Sequence, residues 1–125
     1  MTDAEREATE LLEEWMAAFN ARDVDRWSAT FNYPSVRLAS GRLVILENAS
    51  SLRRDVFERL TNAGWDRSAW DHHHVINSRD DKVHFDTRFT RYRADGSVIG
   101  TYDSIYVVTR QDGHWGVAAR SSFAP

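Results

Sequence analysis

The spacing of apolar positions changes once along this chain, from a helical period to a strand period. Ala4, Ala8, Leu11, Leu12, Trp15, Met16 and Phe19 recur three and four residues apart, with Glu10, Glu13 and Glu14 opposite. That spacing predicts one amphipathic helix from about residue 3 to about residue 21. Thr2 and Glu5 form a capping-box pattern at its start, and Asp3, Glu5 and Glu7 sit where the helix dipole favours anions. Asp23 suits the N-cap of a short second helix that carries Val24, Trp27 and Phe31 inward. It must end before Tyr33-Pro34, because the residue preceding proline is pushed out of the α region. Val36 to Ala39 and Leu43 to Leu46 flank Ser40-Gly41 and predict a hairpin. A third helix, capped by Ser50 or Ser51, presents Leu52, Val56, Phe57 and Leu60 on one face and closes at Gly64.

The second half alternates with period two, and four strands are predicted, from about Ser68 to Ser78, Val83 to Arg93, Val98 to Arg110 and His114 to Phe123. Asp95-Gly96 and Asp112-Gly113 punctuate the last three as two-residue hairpin turns, whose central residues both need positive φ. Counting outward from the first pairs Phe89 with Tyr102, Thr87 with Ser104, Phe85 with Tyr106 and Val83 with Val108. Counting from the second pairs Tyr102 with Phe123, Ser104 with Ser121, Tyr106 with Ala119 and Val108 with Val117. All of these share one face, which is apolar and meets the helices. Thr87, Ser104 and Ser121 cross it as a polar row. Hydroxyls among aromatics suit a ligand cavity, and they equally suit cross-strand bonds to one another. The other face sets Ile105, Val107 and Ala118 among charges, either as a dimer surface or as a solvated face with Asp–Arg pairs.

Helices followed by an antiparallel meander make an α+β fold, and 125 residues without linker or repeat fit a single domain over residues 1–125. Five tryptophans need a core, a pocket or an interface. The absence of cysteine removes disulfides, thiolate zinc sites and thiol nucleophiles. No apolar run reaches the roughly 18 residues of a membrane span, and the acidic N-terminus does not fit a signal peptide, so no membrane partner and a cytoplasmic location are expected. A net charge of -3 gives no basic footprint for nucleic acid.

Candidate chemistry centres on His72-His73-His74. A two-residue turn at Asp80-Asp81 would set His74 opposite Thr87 and place His72 and His74 on the cavity face; a bulge would put His73 there instead. His-x-His on a strand is a metal-site pattern, but Thr87 and Phe89, the expected neighbours, are not ligands, so neither metal nor other cofactor is expected. Acid–base work at neutral pH is the better role for these imidazoles.

The segments AAFNARDVDRW (17–27), VRLASGRLVILE (36–47), RYRADGS (91–97) and YVVTRQDGHWGV (106–117) resemble the NTF2-like superfamily in its SnoaL-like branch. The resemblance implies a cone-shaped α+β barrel, three N-terminal helices packed in a strongly curved mixed, mainly antiparallel sheet, with a cavity inside and a homodimer through the outer sheet face. His74-Val75-Ile76-Asn77 is similar to an H-x-x-N pattern whose His is the general base in dehydratase and dehydrochlorinase relatives, which points to His74 as catalytic. Asn20 stands where those relatives orient the base with an Asp. Tyr33, Tyr102 and Tyr106 would offer phenolic donors of the ketosteroid isomerase kind, and His72, Asn20, Thr87 and Ser104 would join them around a small apolar or polycyclic molecule. The expected function is a cofactor-independent lyase or isomerase, with a non-catalytic ligand-binding or dimerisation domain as the alternative.

Overall fold

A computed structural model describes all 125 residues. Helix α1 spans Asp3–Asn20, and Thr2 and Glu5 form the expected reciprocal capping box. Asp23 caps α2, Val24–Ser28, by accepting from the Arg26 N–H. Strands β1 (Phe31–Ala39) and β2 (Arg42–Leu46) make the first hairpin. Phe31 thus begins a strand rather than closing a helix.

The expected third helix is two pieces. Asn48 caps a single 3-10 turn, Ala49–Ser51, and α3 runs only over Asp55–Asn62. Ser51 instead turns its hydroxyl back to the Glu47 N–H, an alternative to helix that serine offers its own neighbourhood.

The meander follows as β3 (Arg67–Arg79), β4 (Lys82–Tyr92), β5 (Val98–Gln111) and β6 (His114–Ser122). One mixed sheet results, in the order β2-β1-β6-β5-β4-β3, with β1 and β6 parallel and every other pair antiparallel. α1 packs over its concave face against β3, β4 and β6. This is an α+β cone.

The parallel β1–β6 seam depends on Gly116. A Cβ there would lie 2.6 Å from the Phe31 carbonyl carbon and 2.7 Å from the Asn32 nitrogen, both backbone atoms. Asp112 and Gly113 hold φ of 53° and 78°, as a type I′ turn requires.

Pairing of β4 with β5 matches the count from sequence: Phe89–Tyr102, Thr87–Ser104, Phe85–Tyr106 and Val83–Val108. The connection itself is longer than two residues, with Asp95 accepting from the Ser97 N–H and hydroxyl.

Two other registers differ from the count through β-bulges, by one residue between β5 and β6 and, beyond a second bulge, by two between β3 and β4. Between β5 and β6, Val108 pairs with Val117 and Val107 with Ala119, leaving Ala118 extra. Tyr106 therefore faces Arg120 rather than Ala119, and Ser104 faces Ser122 rather than Ser121. Phe123, expected opposite Tyr102, is 84% exposed. Between β3 and β4, Ile76 and Asp71 are the extra residues. The bulge at Ile76 sets His73 opposite Thr87 and His74 opposite Asp86. His72 and His74 consequently stand on the outer face of the sheet, not the cavity face.

Candidate functional site

The concave face encloses a cavity of about 500 Å³, within the range that holds a small organic ligand. Trp15 and Phe19 of α1, Trp27 of α2 and Phe31 and Phe89 of the sheet form its aromatic wall, with Met16 beside them. These rings brace one another: Trp15 stacks on Phe19 at 5.1 Å, and Trp27 meets Phe19 edge-on at 5.2 Å.

The polar part of the lining is mostly cationic. Arg37, Arg42, Arg53, Arg59, Arg91 and Arg120 face the cavity, against one acidic side chain, Asp55. Asp55 sits 3.6 Å from Arg53, so five guanidiniums remain without an anionic partner. None of Arg37, Arg42, Arg59, Arg91 and Arg120 makes an ion pair within the chain.

Strand geometry forces this crowding. Arg37 of β1 and Arg120 of β6 are register partners on adjacent strands, and Arg91 lies on the same face as Phe89, two residues along β4. Burial, reinforced by Arg120, holds the Arg37 guanidinium below the usual arginine range. The same two causes lower Arg91, partly offset by Tyr102, over whose ring Arg91 lies at 5.1 Å.

Four buried polar atoms around this cavity have no hydrogen-bond partner: Trp15 Nε1, Trp27 Nε1, Tyr106 Oη and Arg120 Nε. Each carries a proton to donate, and buried donors are ordinarily satisfied. The contrast among the five indoles is informative. Trp65 donates to Ser68 Oγ, Trp70 to the Leu12 carbonyl and Trp115 to Glu7, whereas the two that line the cavity donate to nothing. Tyr106 is fully buried behind Arg120, whose guanidinium lies 5.6 Å from its ring centre. Burial pushes its phenol pKa up, and the charge of Arg120 offsets part of that rise.

Other residues expected at the site are elsewhere or otherwise engaged. Thr87 donates to the Ser104 carbonyl and Ser104 to Ser122 Oγ, so the hydroxyl row is bonded within the sheet. Asn20 bridges the end of α1 to β3 by donating to the Ser68 carbonyl and accepting the Ser68 N–H. Tyr33 donates to the Ser28 carbonyl, and burial pushes its pKa up to about 12. Tyr102 lies over Gly100, where a Cβ would collide with it. His73 is the member of the triplet on the helix side, paired with Glu13 of α1 and edge-on to Trp70. No histidine lines the cavity.

The arginines were missed for a specific reason. Simple alternation places Arg120 on the outer face, and only the Ala118 bulge turns it inward. Arg91 was legible, since it has the same parity as Phe85 and Phe89 on β4.

The model of a family described as an NTF2-like protein, DUF6841, matches residues 5–123. No curated protein matches the chain in sequence. Among solved structures, a ketosteroid isomerase-like protein from Erwinia carotovora atroseptica superposes with a TM-score of 0.71 at 18% identity, over 100% of each chain. A Catenulispora acidiphila protein in complex with S-DNPA gives 0.74 at 20% identity, covering 95% of this chain and 91% of that one. A putative calcium/calmodulin dependent protein kinase II association domain from Xanthomonas campestris gives 0.71 at 18% identity, covering 96% and 86%. At these identities the likeness is one of fold.

Proposed function

The chain belongs to the NTF2-like family DUF6841, and from that premise we propose that it binds a small molecule joining an apolar or aromatic body to an anionic group. The observation that carries this reading is the cluster of half-buried Arg37, Arg91 and Arg120, which share one aromatic cavity and make no ion pair within the chain. Like charges held together out of water are unfavourable until an anion joins them. A carboxylate, sulfonate or phosphate between Arg37 and Arg120 would supply the missing acceptors. The rings of Trp15 and Trp27 would flank the apolar part. A positive cavity in a chain of net charge -3 also steers anions inward over competing cations. The S-DNPA complex of the Catenulispora neighbour is a precedent for a small molecule held by this fold.

Binding is favoured over proton transfer because the lining offers no imidazole, and its one acidic side chain lies beside Arg53. The test compares 2-naphthoate with its neutral counterpart 2-naphthylmethanol by calorimetry and by quenching of Trp15 and Trp27 fluorescence. The carboxylate should bind at least about tenfold more tightly, a difference of about 1.4 kcal/mol. Arg37→Met and Arg120→Met should abolish the difference. Equal affinity of the two probes for wild type would overturn the reading.

We also propose that a second copy of the chain covers the outer face over β2, β1, β6 and β5. Val36 pairs with Ile45 and Leu38 with Leu43, and Ala119, Val107 and Ile105 continue the patch across the sheet. Leu43 is 63% exposed and Leu38 49%. The patch is apolar from Leu43 to Val107, and charges (Asp86, Asp103) border it only at Ile105, so an identical patch related by a two-fold axis is its natural complement. One structural neighbour is itself described as an association domain. Sedimentation should give a dimer for wild type and a monomer for the Leu38→Lys, Ile45→Lys double variant. A monomeric wild type at high concentration would refute it.

A further inference from the structure

The outer face changes character toward its other edge, where β3 and β4 bring two imidazoles and a carboxylate together. The bulge at Ile76 shifts His74 into register with Asp86, and His72, two residues away, projects on the same side. Their rings stack with centres 4.4 Å apart and planes 10° from parallel. His72 Nε2 lies 3.6 Å from Asp86 Oδ2, too far for a hydrogen bond. One ligand atom from each of His72, His74 and Asp86 falls within a 4.8 Å spread. His72 Nε2 is shielded from solvent and has no hydrogen-bond partner, so a buried nitrogen lone pair or N–H points at this group unsatisfied.

The surrounding charges leave the carboxylate free. Arg88, the nearest cation on β4, is held by Asp103 at 3.0 Å, and Asp71 accepts from the Thr90 hydroxyl at 2.7 Å. Asp86 makes no ion pair with lysine or arginine.

We propose that His72, His74 and Asp86 form a binding site for a borderline divalent transition-metal ion of the Zn²⁺ or Co²⁺ type. Two imidazoles and one carboxylate suit such ions and disfavour Mg²⁺ and Ca²⁺, which take oxygen ligands. Ligation requires each donor atom at about 2.0–2.2 Å from the ion. The three atoms need to draw together by about an ångström, which rotation of the exposed His74 and Asp86 side chains permits. Three protein ligands leave at least one tetrahedral position open to water or an exogenous ligand. The ion would clip β3 to β4 on the side of the sheet away from the cavity, and the site is independent of what the cavity binds. The expectation that no metal binds assumed Thr87 as the neighbour of His74; the bulge replaces that neighbour with Asp86.

The test uses untagged, metal-free protein. Zn²⁺ binding is measured by calorimetry, and Co²⁺ binding by its visible d–d absorption, which intensifies in tetrahedral coordination. Wild type should bind one ion per chain and melt at a higher temperature with Zn²⁺ present. His72→Ala, His74→Ala and Asp86→Ala should each weaken binding by more than about tenfold. His84→Ala, which removes an outer-face histidine bonded to Asn77, should leave affinity unchanged. Far-UV circular dichroism is the check that each variant folds. Absence of Zn²⁺ binding by wild type, or an unchanged affinity in the His72→Ala, His74→Ala double variant, would overturn the assignment.

Discussion

Replacing Arg120 with methionine should make the unliganded protein more stable while removing its hold on an anion. Three contributions set the magnitude. Arg120 Nε is buried without an acceptor, a state that costs about 1–3 kcal/mol and that methionine avoids. Arg120 also neighbours Arg37 across the β1–β6 seam. Strands lie about 4.8 Å apart, so guanidiniums splayed to about 6–8 Å repel by about 2–3 kcal/mol at an effective dielectric of 20, and partial exposure of both reduces this to about 1. Against these stand the contacts of the guanidinium with the Tyr106 and Phe89 rings, at 5.6 and 5.9 Å. Each is worth about 0.5–1 kcal/mol, and the methionine thioether recovers part of it.

The balance is a gain of about 1–2 kcal/mol, or roughly 3–10 °C in Tm for a domain of this size. Thermal unfolding followed by circular dichroism at low and high salt measures it. The gap between variant and wild type should narrow with salt, because repulsion is screened and an unmet donor is not. Adding 2-naphthoate should raise the Tm of wild type and leave that of Arg120→Met unmoved. If Arg120→Met melts below wild type at low salt without ligand, Arg120 stabilises the empty cavity and the reasoning fails.

Two further substitutions probe the frame around the cavity. Tyr33 donates to the Ser28 carbonyl, and its folded pKa is raised from the ordinary 10.0 to about 12 by burial. The raised value favours the protonated form in the fold, so its contribution is present below pH 10 and is lost as pH climbs through 12. Tyr33→Phe should cost about 1 kcal/mol at neutral pH and should be less sensitive than wild type to alkali between those limits; parallel urea curves against pH that never converge would contradict this. Gly116→Ala should destabilise by about 2–3 kcal/mol in urea unfolding, since the added methyl meets backbone atoms of β1 rather than a movable side chain. A change below about 0.5 kcal/mol, within the range of a neutral surface substitution, would show that the seam yields freely.

Much of the architecture was legible because local signals agreed with one another. The Thr2–Glu5 capping box, the Asp23 cap and the Asp112-Gly113 turn each name their own geometry, and alternation along β4 and β5 aligns Phe85 with Tyr106 and Thr87 with Ser104. The candidate site was only partly legible, and the reason is physical. A bulge adds one residue without a turn signal, and Ile76 and Ala118 occupy their positions with side chains acceptable on either face of a sheet. Each bulge exchanges inside for outside beyond it. The first moved His72 and His74 out of the cavity, and the second brought Arg120 in. Charge misled at the same point, because an arginine after two alanines on a strand is ordinarily read as solvated. Thr87 and Ser104 of the expected hydroxyl row share the inner face, but the bulge replaces Ser121 with Ser122, and the row bonds within the sheet.

The bulge at Ala118 bears on how kindred sequences should be compared. Counted from Val117, the cavity cation here lies three positions on, whereas a strand without the extra residue would present its second position to the same space. A motif written as Val-x-x-Arg would therefore overlook a relative that spells the same cavity Val-x-Arg. An ungapped alignment of the two would set an inward residue of one against an outward residue of the other. Kinship of binding sites in this fold is better traced by strand register than by spacing along the chain.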